Sequence, residues 1–335
     1  MKTRLLIIIM LVFFQMGCNK QIKDNFLSQR QFLSGELINV DCLIGKPYRL
    51  ILHDTLLFVC DPYESNTLTV LNLLNNQCDD RILQIGNGPG EVSGPLKLSL
   101  SATRNKLYVF QIQSGILSTY NISGRDLTLV ESVRIEERPA NVVITEEALV
   151  GIGLFDEGRY HIYDRQGILI NHAGAYPSGE MDNNAHARFF LYQGDLCSQP
   201  EGTHFALGSS YSDNLEFYKI KEGQTELLKK YGTGDKVQAR FDNTIQLDDN
   251  CVLGYKSSYA TDKYCYMLYS GKTYAENNRR VSWGENIFVF EWNGNFVKSF
   301  RLSREVLTFA VDETNGIIYG IVLQEGEAAI MKFKI

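Results

Sequence analysis

Several features that would announce a familiar chemistry are missing from this 335-residue sequence. The five histidines, His53, His161, His172, His186 and His204, form neither H-E-x-x-H nor H-x-H, so no local zinc site is encoded. Apart from Cys18, the cysteines are Cys42, Cys60, Cys78, Cys197, Cys251 and Cys265, and no two have C-x-x-C spacing. That excludes a zinc ribbon and a thioredoxin-type redox pair. There is no G-x-S-x-G elbow, which removes an α/β-hydrolase nucleophile. There is no EF-hand loop; Asp312–Gly316 has the composition of a hairpin turn. Basic residues occur at most as pairs, Lys229-Lys230 and Arg279-Arg280, so no basic face for a nucleic acid is present. The formal net charge of −6 fits a solvated surface. Past residue 35 no long helical period appears; a single helical turn is expected at Ala187–Leu191.

The first residues are set apart. Lys2 and Arg4 precede an unbroken apolar run, Leu5–Phe14, and then Gln15-Met16-Gly17-Cys18. A charged start, a short apolar core and a small residue at a cleavage point make an export signal. The run is too short to span a bilayer, which needs about 20 residues. Cys18 directly after Gly17 resembles a bacterial lipobox, although Gln15 stands where an aliphatic residue is usual. The resemblance implies a signal over 1–17, lipidation at Cys18, a polar linker over 18–34 and one domain over 35–335. It also implies a place in the cell envelope of a Gram-negative bacterium, on the periplasmic or surface side of the outer membrane.

The rest of the chain reads as short strands. Tyr48–Cys60 gives two strands about a turn at His53-Asp54-Thr55. Lys106–Ile112, Arg159–Asp164, Lys263–Ser270 and Asn286–Trp292 are rich in Tyr, Phe, Val and Ile, which suit a pleated, half-buried surface. The turns repeat. STYNISGRDLTLV, HIYDRQGILINHA and VFEWNGNFVKSF each run from a strand with an aromatic residue through a polar turn holding Gly124, Gly167 or Gly294 into another strand. Gly86-Asn87-Gly88 is echoed at Gly232-Thr233-Gly234, three units later. Multi-stranded units of about 40–50 residues are the mark of propeller blades. Six units fit: 43–86, 92–136, 140–177, 186–234, 238–303 with an insertion near 272–284, and 304–335. The last unit has three clear strands, and Gly35–Asp41 is expected to supply its fourth, closing the ring and removing open sheet edges. The fold class is therefore all-β, a six-bladed β-propeller.

The segment IGNGPGEVSGP, Ile85–Pro95, looks at first like a phosphate loop. Such a loop follows a strand and opens a helix. Here Glu91 occupies the third glycine position and would repel phosphate, and Leu96, Leu98 and Leu100 alternate as a strand. Ser270–Thr273 has the tail of a P-loop, but Tyr266 stands at its first glycine position. No nucleotide site, and no other cofactor, is expected.

Gly86, Gly88, Gly90, Glu91, Val92 and Pro95 instead match in order the crossover of the NHL-type propeller repeat, with Val92 for the usual Phe and with Pro89 stiffening the link. The resemblance implies a structural crossing from one blade's outer strand to the next blade's inner strand. The whole chain resembles the TolB-like six-bladed propeller lipoproteins, on Cys18, the Gly86–Glu91 loop and the late Tyr269–Lys272 segment. It implies a propeller that binds proteins in the periplasm, and no particular chemistry.

Function is then expected at the central channel or on one face. His53, Asp54, Asn141 and His204 stand near inner-strand ends, each read first as an ordinary turn or channel residue. Tyr255, Tyr259, Tyr264, Tyr266 and Tyr269 would form a binding surface if exposed, and pack between blades otherwise. Cys251 and Cys265 could face each other across a hairpin. The reading adopted is a non-catalytic scaffold for an envelope protein or glycan, with no catalytic residue and no metal. The alternative is a metal-dependent hydrolase or lyase acting on a small lactone or sugar in the channel.

Overall fold

The computed structural model describes residues 25–63, 65–88, 90–176, 184–232, 237–242 and 244–335. Cys18, Pro89, Thr233 and Gly234 lie outside the described residues. Six antiparallel blades follow in chain order. Blade one is β3 (Arg49–His53), β4 (Leu56–Tyr63), β5 (Asn66–Asn72) and β6 (Gln77–Gln84). Blade two is β7 (Leu96–Leu100), β8 (Lys106–Gln111), β9 (Ile116–Ser123) and β10 (Asp126–Arg134). Blade three is β11 (Asn141–Ile144), β12 (Leu149–Ile152), β13 (Tyr160–Tyr163) and β14 (Leu169–Ala173). Blade four is β15 (Gly194–Ser198), β16 (His204–Ser209), β17 (Leu215–Lys221) and β18 (Gln224–Tyr231). Blade five is β21 (Tyr255–Ala260), β22 (Tyr264–Tyr269), β23 (Gly284–Glu291) and β24 (Phe296–Val306). Blade six is β25 (Phe309–Asp312), β26 (Ile317–Gln324) and β27 (Glu327–Lys334), completed by β2 (Gly35–Ile38). The first strands β3, β7, β11, β15, β21 and β25 each contact the first strand of the next blade, and β25 returns to β3, so the ring is closed.

Burial follows distance from the axis. The middle strands β12 and β13 are buried at every residue, because neighbouring blades cover both faces. The outer strand β10 has no buried residue. The hairpin glycines expected from the repeat occupy one structural position, the turn from third to fourth strand, with φ of 61° at Gly124, 83° at Gly167 and 84° at Gly294.

Closure occurs where expected. β2 pairs antiparallel with β27, Gly35 opposite Phe333 and Ile38 opposite Ile330. A disulfide, Cys42–Cys78, ties the chain leaving β2 to the outer strand of blade one. The pairing considered between Cys251 and Cys265 does not form; both are buried free thiols. Cys251 packs with Tyr211 and Leu253 in an insertion, while the Cys265 sulfur lies 3.4 Å from that of Cys197 in blade four.

Two expectations about boundaries are corrected. Residues 25–33 do not belong to a free linker. They form one helical turn and β1 (Gln31–Leu33), which pairs in parallel with β24 and gives blade five a fifth strand. Phe26 is buried against blade five and stacks on Phe296 at 4.1 Å. The insertions also differ in extent. A helix over Ala185–Tyr192, capped by the Asn184 side chain accepting from Ala187 N at 2.9 Å, precedes blade four. A two-stranded sheet of β19 (Ala239–Asp242) and β20 (Thr244–Leu247) precedes blade five, whose inner strand starts only at Tyr255. Phe190, Leu247, Leu253 and Val281 join these pieces in a satellite apolar cluster with Tyr211 and Cys251.

Candidate functional site

The six inner strands surround the propeller axis with their ends on two faces. The turns from first to second strand lie on one face, hereafter the hairpin face. The links from each outer strand to the next inner strand lie on the other, the crossover face, together with the inserted helix, β19–β20 and the 270–283 loop.

The Ile85–Pro95 segment joins β6 to β7 on the crossover face, as its resemblance implied. The reason for its glycines is more local than a close approach of neighbouring sheets. The Glu91 carboxylate folds back and accepts from Gly88 N at 2.7 Å, in the way a phosphate loop would hold its anion. A Cβ on Gly86 would stand 1.9 Å from Glu91 Oε2. Gly90 and Gly94 have φ of 81° and 72°, a region that favours glycine. Val92 is fully buried between blades one and two, and Gly86 N donates to its carbonyl at 3.0 Å. The loop supplies its own anion within the β6–β7 link.

The tyrosine series does not form an exposed surface. Tyr255, Tyr259, Tyr266 and Tyr269 are buried, and Tyr264 is partly buried. Tyr255 opposes Tyr269 and Tyr259 opposes Tyr266 across the β21–β22 pair. These strands are covered on both faces by neighbouring blades, so alternation directs no tyrosine to solvent.

Two cavities occupy the channel. The larger, about 510 Å³, opens on the hairpin face and is lined by residues of all six blades. The smaller, about 260 Å³, lies at the crossover face. Arg49 is the one residue that lines both. Beside it sits Asp195, near the start of β15 and only 8% exposed. Asp195 accepts from Lys97 Nζ of β7 at 2.6 Å, from Arg49 Nη2 of β3 at 3.3 Å and from Ser258 Oγ of β21 at 2.5 Å. Burial opposes ionisation of Asp195, and Lys97 and Arg49 overcome it, holding its carboxyl well below the usual range. Burial and then Arg49 pull the Lys97 ammonium down. Four blades are thus pinned at the axis by one carboxylate and two cations.

At the hairpin face the cavity rim is polar. Asp54, Glu201, Asp262, Asp312 and Glu313 supply acid, against Arg104 and Lys263. Three of the carboxylates are fixed: Glu201 accepts from Tyr108 Oη at 2.7 Å, Glu313 from Tyr266 Oη at 2.7 Å and Thr261 Oγ1 at 3.1 Å, and Asp312 from Asn315 N at 3.0 Å and Nδ2 at 2.7 Å. Arg104 donates to the Leu52 carbonyl. Of the four channel candidates read from the sequence, only Asp54 lines the cavity. His53 stands 3.7 Å from it, half-buried, with burial lowering its pKa. Asn141 opens β11 without lining either cavity. His204 opens the second strand of blade four and meets Gln199 Oε1 at 3.2 Å. Sequence reasoning missed Asp195, Lys97, Arg49 and Ser258. The available signal was a charged residue inside the short, mainly apolar inner strands of Arg49, Lys97 and Asp195; Ser258, in YKSSYA, carried no such signal.

Asp195 is already neutralised by two cations. Among the described residues, the one cluster of three metal-type ligand atoms is Asp41, Cys42 and Cys78, and both of its sulfurs are in the disulfide.

Comparison with known proteins agrees with this architecture. No curated protein matches the sequence. Among solved structures, a "Putative exported protein" of Bacteroides fragilis NCTC 9343 is similar at 12% identity and TM-score 0.54, covering 90% of this chain and 94% of that one. The WD40 repeats of RRP9 give TM-score 0.51 at 7% identity, covering 90% and 97%. At such identities the likeness is one of fold alone. A family model described as "TolB-like 6-blade propeller-like" matches residues 28–314, and the chain belongs to that family.

Proposed function

We propose that this propeller is a non-catalytic binding scaffold of the cell envelope, and that it receives a protein partner at the hairpin face. The observation that carries the reading is the large hairpin-face cavity, lined by residues from all six blades, among them Lys97 and Arg49, the two cations that hold Asp195. Its aromatic lining is limited to Tyr108 and Tyr259, so it offers little stacking surface for a sugar ring. Its acidic rim suits a loop that carries lysine or arginine, steered by charge and held by hydrogen bonds to the fixed carboxylates. Among the described residues, no cluster of three metal-type ligand atoms lies in this cavity to favour the hydrolase or lyase alternative.

Export and lipidation at Cys18 complete the proposal. They are supported by the charged start, the short apolar run, the Cys42–Cys78 disulfide and the exported description of the Bacteroides fragilis relative of like fold. The docked position of Phe26 then limits the tether. Seven residue spacings separate Cys18 from Asn25, a reach of at most about 25 Å. The rim of blade five would be held within that distance of the membrane, with both faces of the ring open to the side.

The test is a pull-down of the lipidated protein from envelopes, with wild type beside a Glu201→Lys, Glu313→Lys double variant. The proposal expects a reproducible protein partner that the charge-reversed variant loses. Retention of the partner by the variant, or turnover of a lactone or sugar with a bound metal, would refute it. Mass spectrometry of a Cys18→Ala variant, released unlipidated into the soluble fraction, tests the anchor separately.

A further inference from the structure

The smaller cavity, at the crossover face, differs in chemistry from the larger one. It is lined by two cations, Arg49 and Lys256, and by the hydroxyl residues Ser210, Ser257, Ser282 and Thr308, and among the described residues no acidic one lines it. Lys256 is the second residue of β21. Its Nζ donates to the Ser210 carbonyl at 2.7 Å and stands 5.7 Å from the Tyr211 ring centre. Among the described residues no carboxylate pairs with it; Arg49 is already engaged by Asp195. Ser257 Oγ and Thr308 Oγ1 lie 3.0 Å apart, and either can donate. A buried ammonium without a counter-ion is costly, and a bound anion removes that cost.

We propose that this cavity is a binding site for a small hydroxylated carboxylate, with Lys256 as the principal cation and the surrounding hydroxyls meeting the ligand's own. It is a different site from the partner surface on the hairpin face, and neither proposal depends on the other. Burial pulls the Lys256 amine down to about 7. The groups that share its surroundings are the Cys251 thiol, the Tyr211 and Tyr48 phenols and the cation Arg49. Burial pushes the Cys251 thiol up to about 11 and raises the Tyr211 phenol, so both stay neutral while Lys256 titrates. An anion stabilises the protonated amine. Affinity is therefore full below about pH 7 and falls roughly tenfold per pH unit above it.

The experiment is calorimetric titration of the soluble chain with gluconate, glucose and inorganic phosphate at pH 6 and pH 8.5, on wild type and Lys256→Met. The expected result is gluconate binding at pH 6 that weakens more than tenfold at pH 8.5 in wild type. Glucose and phosphate should bind more weakly. Lys256→Met, folded by circular dichroism, should lose at least about tenfold at pH 6. Circular dichroism separates loss of the site from loss of the fold, and the wild-type pH arm needs no variant. Equal binding of glucose, tighter binding of phosphate, gluconate affinity independent of pH, or full affinity in Lys256→Met would each overturn the proposal.

Discussion

The two ends of the channel are built from the same six strands and have opposite characters. At the hairpin face short turns leave a wide cavity with an acidic rim. At the crossover face the inserted helix, β19–β20 and the 270–283 loop crowd a small cavity in which the charged side chains are cations. Packing differs as well. On the crossover face a Cβ on Gly254 would meet the Ser212 carbonyl oxygen at 1.8 Å, whereas turn residues such as Asp54 and Asp262 on the hairpin face are exposed. The difference teaches where each face can change. Crossings between blades demand fixed backbone, and hairpin tips can alter their side chains without disturbing the ring.

The largest expected effect comes from removing what separates the two ends. Asp195→Ala leaves Lys97 and Arg49 facing each other in a buried site, a cost of about 3–5 kcal/mol, read as a lower midpoint in urea. A loss below about 1 kcal/mol would mean that the cluster does not hold the axis. The same carboxylate sets a pH dependence. Its folded pKa is depressed, so its contribution is complete above the unfolded value near 4 and is lost as pH falls below it. Wild type should lose more stability between pH 5 and pH 2 than Asp195→Asn does.

A second substitution asks whether blade five is anchored as described. Phe26→Ala empties a site between Tyr231, Phe288, Phe290 and Phe296 and should cost about 3 kcal/mol. An unchanged melting temperature would return residues 25–34 to a free linker. Smaller still is Glu91→Ala on the crossover face, which exposes the Gly88 amide and should cost about 1–2 kcal/mol. Smallest is Asp262→Asn on the hairpin rim, expected within about 0.5 kcal/mol of wild type. A rim substitution as damaging as Glu91→Ala would erase the contrast between the faces.

The fold was legible because its signals are local and repeated. Gly124, Gly167 and Gly294 mark one hairpin position in three blades, and IGNGPGEVSGP marks a crossing. Closure by Gly35–Ile38 followed from the count of strands in the last unit. The channel was not legible, because its residues are contributed singly by strands far apart in sequence. Arg49, Lys97 and Asp195 stand singly as charges in short, mainly apolar strands, Ser258 follows Lys256 and Ser257, and only the ring brings the four together. The tyrosines could be read either as an exposed surface or as packing between blades, and burial places them between blades: alternation normally points one face to water, but a blade has neighbours on both sides. The Cys42–Cys78 pairing depends on where β2 leaves blade six, which spacing along the chain does not encode. Phe26 was hidden in a polar stretch whose composition resembles a linker.

The central claim, that partner binding belongs to the hairpin face, is tested most directly by site-specific photo-cross-linking in intact cells. A photoreactive residue is placed at exposed Asp262 on the hairpin face and, in a second strain, at exposed Asn278 on the crossover face. The account predicts one reproducible protein adduct from position 262, abolished by Glu201→Lys and Glu313→Lys, and none from position 278. The same adduct from position 278, or an adduct at 262 that survives both charge reversals, would contradict it.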